Sequence, residues 1–131
     1  MTTVKPLGVF GPRNRAEFDL DRATLLAQGT IDASTREHVA AYLRSGTLVL
    51  ALMEYTADVI DGAFGVSGGS GILTDGTYYW RVDAAYYVEH HGIAIEDELV
   101  AWMEQHGWRA PEVSSGELAV IDGLLFERLR S

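Results

Sequence analysis

Apolar and polar positions along this chain fall into segments of different period. Between Ser34 and Gly46, Val39, Ala40 and Leu43 recur on one helical side, and Gly46 stands where a helix stops. Ser34-Thr35-Arg36-Glu37 fits a capping box, the Ser34 hydroxyl taking an orphan amide while Glu37 reaches back. From Thr47 to Tyr55 the period vanishes. That run is apolar with one late charge, Glu54, and reads as a strand buried on both faces, although periodicity alone leaves a helix open. Next, Ile72-Leu73-Thr74 and Thr77-Tyr78-Tyr79-Trp80 flank Asp75-Gly76. This pair is the favoured two-residue hairpin signal, because both positions accept positive φ, and it predicts strands over 71–74 and 77–82. On the second strand Tyr79 shares a face with Arg81, and Tyr78 shares the other with Trp80.

The segments after the hairpin read mainly as helix. Asp83 is placed to cap a helix that ends at His91-Gly92, with Ala84, Tyr87, Val88 and His91 on one side and Tyr86, Glu89 and His90 on the other. A second helix over Glu96–His106 turns Leu99, Val100 and Met103 inward and ends at Gly107. Its first turn holds Glu96, Asp97 and Glu98, where carboxylates complement the helix dipole. Glu117 to Arg130 predicts a last helix along Leu118, Ile121, Leu125 and Leu129, with a hairpin at Asp122-Gly123 as the rival reading. Residues 1–30 are interrupted by Gly8, Gly11, Pro12 and Gly29 and read as irregular, with room for a short helix at Asp21–Gln28. Helices and strands are grouped rather than alternating. The expected class is therefore α+β: a small antiparallel sheet (the hairpin at about 71–82 plus a strand at about 47–55) against three to four helices. One domain spans 1–131, with its core in 34–108 and a terminal helix or hairpin in 112–131.

Charge changes the picture more than composition does. With 131 residues, 47% of them apolar, the chain has enough material for one core. Nineteen Asp and Glu stand against ten Lys and Arg, a net of −9. Nucleic acid and anionic membranes both require basic patches, so neither is expected as the main partner. The whole excess lies between Ser45 and Trp108, where Glu54, Asp58, Asp61, Asp75, Asp83, Glu89, Glu96, Asp97, Glu98 and Glu104 face one base, Arg81. The flanks cancel. There is no cysteine, which excludes disulfides and thiolate metal sites. Met1-Thr2-Thr3-Val4-Lys5-Pro6 has no apolar signal region, so a cytoplasmic location is expected.

The stretch from Thr74-Asp75-Gly76-Thr77-Tyr78-Tyr79-Trp80 to Asp83-Ala84-Ala85-Tyr86-Tyr87-Val88 resembles a group of short bacterial proteins, of high-GC type, without assigned activity. Ile93-Ala94-Ile95-Glu96 continues the likeness, as do Tyr42–Gly46 and Asp58–Asp61 upstream, so that it covers about residues 40–108. Members of that group often carry proline before the last helix, where this chain has Glu96. The resemblance implies one compact domain and a bacterial origin, with no chemistry attached.

No catalytic motif has the context it needs. The glycine-rich stretch Gly65–Gly71 precedes a strand rather than a helix and lacks a following Lys-Ser or Lys-Thr, so it is not read as a phosphate loop. His90 and His91 point about 100° apart on a helix, and the i, i+4 histidine spacing is absent, so no metal or cofactor is assigned. His91 reads instead as a hydrogen-bonded core histidine, and His106 as a helix C-terminal residue. Asp75, Asp83 and Glu96 to Glu98 have structural explanations as turn, cap and helix start. Seven aromatics between Tyr78 and Trp108 interleave with the acids. Trp80, Tyr87 and Trp102 belong to a core, whereas Tyr86 falls on a polar side. These features point to a non-enzymatic acidic protein that masks a basic partner, in its most concrete form an immunity-type inhibitor of a nuclease-like toxin. Its expected contacts are Tyr86, Glu89, Glu96, Asp97, Glu98 and Glu104. Two alternatives stand beside it: a ligand-binding or enzymatic cleft between hairpin and helices, lined by Tyr79, Arg81 and His90, and a homo-oligomeric structural protein.

Overall fold

A computed structural model of the protein describes residues 3–130. Met1, Thr2 and Ser131, the outer ends of the expected N- and C-terminal segments, lie outside the described residues. The fold is α+β. Its strands are β1 (Lys5–Pro6), β2 (Thr47–Leu50), β3 (Tyr55–Ala57), β4 (Gly65–Ser67), β5 (Ile72–Thr74) and β6 (Tyr78–Arg81). Its helices are α1 (Arg22–Leu26), α2 (Ala33–Arg44), α3 (Ala84–His91), α4 (Asp97–Gln105) and α5 (Ser115–Leu129). Four strands form one sheet in the order β1-β6-β5-β2, and β3 pairs with β4 in a separate hairpin.

Alternation along β6 organises the core, as the hairpin reading required. Trp80 and Tyr78 face a cluster built by Tyr42 and Leu43 of α2, Tyr87 and Val88 of α3, and Leu99 and Met103 of α4. Tyr79 faces the other way, against Ile72 and the Ile121, Leu125 and Leu129 stripe of α5. The sheet therefore has helices on both faces. This arrangement settles the C-terminal segment as a helix, because a spacing of four residues lays those three side chains along one side. The Ser114 hydroxyl caps it by accepting from the Glu117 amide at 3.2 Å.

The sheet is mixed rather than purely antiparallel, because β1 runs parallel to β6. Lys5 N donates to Thr77 O and Leu7 N to Tyr79 O, both at 2.9 Å. Pro6 lies between these two donors, at a position whose missing N–H would point away from the sheet, so an edge strand tolerates it. The segment expected to be irregular thus supplies an edge strand, and it also buries Leu7, Phe10 and Leu25 completely. Two residues are too few to show a period.

Three further expectations need correction. Helix α2 starts at Ala33, and Asp32, not Ser34, is its cap: the Asp32 carboxylate accepts from Thr35 N at 2.8 Å and from the Ser34 hydroxyl at 2.7 Å. An ionised carboxylate two residues upstream outcompetes the hydroxyl for the orphan amide. The strand expected over 47–55 stops at Leu50 and lies at an edge, with a register shift between Leu48 and Leu50. After Leu50, which pairs with Ile72, the chain crosses to the second hairpin with Met53 99% exposed, and within the edge strand Leu48 is itself 51% exposed. The hairpin turn is displaced by one residue. Asp75 N bonds Tyr78 O, so Gly76 and Thr77 are its central residues, and Gly76 alone has positive φ, at 94°. Glycine in the first central position is the II′ pattern, which suits the strand twist without a second residue at positive φ.

The glycine-rich stretch is consumed by backbone pairing. Gly65 lies under the Tyr55 ring, where a Cβ would overlap the phenol. Gly68 N, Gly69 N and Gly71 N donate to Glu54 O, Val66 O and Gly68 O, so these amides are not free to cradle a phosphate.

Candidate interaction site

The ten acids of the middle segment divide into two classes once folded. Asp58, Asp75 and Asp83 are buried and hold the structure together. Asp75 accepts from the Tyr42 hydroxyl at 2.5 Å, Trp102 Nε1 at 3.0 Å, and the amides of Thr77 and Tyr78 at 2.8 and 2.7 Å. It joins the turn to α2 and α4. Burial, followed by the adjoining Asp75 carboxylate, pushes the Tyr42 hydroxyl far above its ordinary range, so it remains a donor.

Asp83 stands at the start of α3, but its side chain makes no capping bond. Its carboxylate forms a two-pronged pair with Arg81, Nε–Oδ1 and Nη2–Oδ2 both at 2.9 Å, and accepts from Thr56 Oγ1 at 3.0 Å. Arg81 also donates to the Phe18 carbonyl and is 3% exposed. The guanidinium is therefore spent internally and offers nothing to an anion. Tyr79 is equally inaccessible, its hydroxyl donating to Pro12 O at 2.7 Å. His90 is exposed on α3, which packs against the opposite face of the sheet. Tyr79, Arg81 and His90 do not converge, so the expected cleft around Arg81 does not form.

The expected contact residues separate into two groups. Tyr86 is half-buried on α3, its ring against Phe64 and under the Arg44 guanidinium, which lies 5.3 Å from the ring centre. Arg44 Nη1 in turn pairs with Glu89 at 2.6 Å, which lowers the Glu89 pKa. Glu89 is thus a neutralised carboxylate. Beside it, Tyr86 and Arg44 line a groove of about 400 Å³ with Leu48, Leu52, Leu73 and Val82.

The second group lies on α4 and at its N-cap. Glu96, Asp97, Glu98 and Glu104 are all exposed, and among the described residues none has an ion-pair partner. Asp97, Ala101 and Glu104 form one outward stripe, since seven residues are close to two helical turns. Glu96 and Glu98 border a groove of about 830 Å³ that includes Tyr78, Leu99 and Trp102. Tyr78 and Trp102 meet edge to face at 5.6 Å, and both are half-buried. Lys5 and Arg13 also line the groove, Arg13 already paired with Glu17 at 2.7 Å. The two grooves share no lining residue, and Glu89, Asp97 and Glu104 line neither.

Sequence reasoning missed the surroundings of Asp58. Its Oδ2 lies 2.6 Å from His91 Nε2, and Asp61 Oδ1 lies 3.5 Å from the same nitrogen. Burial alone would raise the Asp58 pKa, but His91 and the Ile60 and Ala63 amides outweigh it and leave the value lowered. No spacing rule links residues 33 apart on a loop and a helix end. Comparison with protein-family models, curated proteins and solved structures finds no match, so geometry alone guides the functional reading. No described helix is long and apolar enough to cross a membrane.

Proposed function

We propose that the protein is a non-enzymatic docking module for a basic protein partner, and that α4 with its neighbouring groove is the contact surface. The observation that carries this reading is the set of four exposed carboxylates, Glu96 at the N-cap of α4 and Asp97, Glu98 and Glu104 on it, unpaired among the described residues, beside the half-buried Tyr78–Trp102 pair. Buried carboxylates elsewhere each have a structural partner, whereas these have none, and unpaired surface charge beside aromatic rings suits steered association followed by aromatic anchoring. The finer form is an immunity-type inhibitor in which these carboxylates occupy a nuclease-like partner's phosphate-binding surface.

Capture from the native host, followed by mass spectrometry, identifies the partner, and stopped-flow binding to the purified partner tests the surface. The variant Asp97→Asn/Glu98→Gln/Glu104→Gln leaves out Glu89, which is already paired with Arg44. It should slow association about tenfold or more at low salt and converge with the unaltered protein at high salt. A neutral or acidic partner, or an association rate indifferent to both substitution and salt, overturns the proposal.

A further inference from the structure

We propose that Asp58, Asp61 and His91 form a binding site for a divalent transition-metal ion of the zinc class. The loop after β3 carries both aspartates, and His91 is the last residue of α3. One ligand atom from each side chain, His91 Nε2 and a carboxylate oxygen from Asp58 and Asp61, lies within 4.8 Å of the other two, a span that one ion can bridge.

Three features favour an ion over a simple His–Asp pair. The first is charge. Two carboxylates crowd one imidazole, and the two positive charges of a divalent ion balance them. The second is rigidity. The Asp58 side chain is fully buried, its Oδ1 held by Ile60 N at 2.8 Å and its Oδ2 by Ala63 N at 3.0 Å, and Ala63 N also reaches Asp61 Oδ1 at 3.0 Å. The Tyr87 hydroxyl accepts from Val59 N, and the Phe64 ring packs against both Tyr87 and His91. The loop is thus fastened to α3 between the aspartates, at Val59, and after them, at Phe64, the kind of support that orients metal ligands. The third is access: the Asp61 side chain is 61% exposed beside His91 at 14%, so the group opens to solvent on the Asp61 side.

The donor set selects the ion. One imidazole nitrogen with two carboxylate oxygens suits Zn²⁺, Co²⁺ or Mn²⁺, while Mg²⁺ and Ca²⁺ prefer oxygen throughout. Three protein ligands leave the remaining positions to water.

The test titrates the full chain with Zn²⁺ by calorimetry and with Co²⁺ by visible absorption. One ion should bind per chain with a Kd below about 100 μM, raise Tm, and give Co²⁺ ligand-field bands. Asp61→Asn keeps the buried Asp58–His91 contact and the fold, and it should weaken binding at least about tenfold, as should His91→Gln. His90→Gln, altering the adjacent exposed histidine, should leave binding unchanged. Absence of saturable one-to-one binding overturns the proposal, as does binding that survives both Asp61→Asn and His91→Gln or is lost with His90→Gln.

Discussion

The Tyr42 hydroxyl donates to the Asp75 carboxylate at 2.5 Å, joining the last turn of α2 to the tip of the β5–β6 hairpin. The same carboxylate oxygen accepts the Trp102 indole N–H, so three elements meet on one buried charge. Tyr42→Phe removes a donor to a charged group while preserving the ring, and it should cost about 1.5–3 kcal/mol in urea unfolding. Trp102→Phe removes the second donor, and the double variant should depart from additivity because both act on one acceptor. Strict additivity would show that the two donors are energetically independent.

Arg81 and Asp83 form a buried pair with side chains 3% and 2% exposed. Arg81→Met leaves the carboxylate unpaired inside the protein and should destabilise it by about 3–5 kcal/mol. The double variant Arg81→Met/Asp83→Leu removes both charges and should recover much of that loss. Equilibrium unfolding of the two variants separates a desolvated charge from a general packing defect.

Stability should also fall in acid through the α2 cap. The Thr35 amide, then the Ser34 and Thr35 hydroxyls, hold the Asp32 carboxyl down to about 2, against 3.8 for the free group. A folded value below the unfolded one means that the contribution is complete above the unfolded value and lost as pH falls towards the folded one. Between about pH 4 and 2, Tm should decline less steeply in Asp32→Asn than in the unaltered protein, because the amide caps without titrating.

On α4 the acids have opposite effects on the helix. Asp97 and Glu98 lie in its first turn, where the dipole favours them, whereas Glu104 lies at the unfavourable end. Calorimetry should show a slightly lower Tm for Asp97→Asn and a slightly higher one for Glu104→Gln. The triple variant used to test docking should therefore keep a Tm close to that of the unaltered protein, so that a binding defect is not a folding defect.

Gly123 sits in the exposed interior of α5, with nothing within 4 Å of a Cβ placed there. Gly123→Ala should stabilise the protein by about 0.5–1 kcal/mol by restricting the unfolded chain and extending helix propensity. A destabilising result would instead fit the Asp122-Gly123 turn of a hairpin. Ser114→Ala should cost about 1 kcal/mol through loss of the cap.

Legibility differed by the range of the interaction concerned. The α3 and α4 spans, the Gly92 and Gly107 stops and the alternation of Tyr79 and Trp80 were readable, because each depends on neighbours within about one helical turn or one strand. Helix α2 was readable except at its start, where two capping residues lay close together and the carboxylate prevailed. Strand β1 was not readable, since its pairing partner is more than seventy residues away and its own length shows no period. The α4 carboxylates could be named from sequence, but their lack of ion-pair partners could not, and neither could the pairing of Glu89 with Arg44.

By itself, the order of residues determined an α+β class, the helix and hairpin signals, and a net charge of −9 concentrated between Ser45 and Trp108. Those properties follow from local sterics, side-chain period and counting. Tertiary structure decided what each charge does. Asp75 and Asp83 are desolvated and must find donors, Asp58 meets His91 across 33 residues, and the acids of α4 and its N-cap alone form an exposed group unpaired among the described residues. Burial and partnership depend on which distant elements come together, and that information enters only when the sheet closes between its helices.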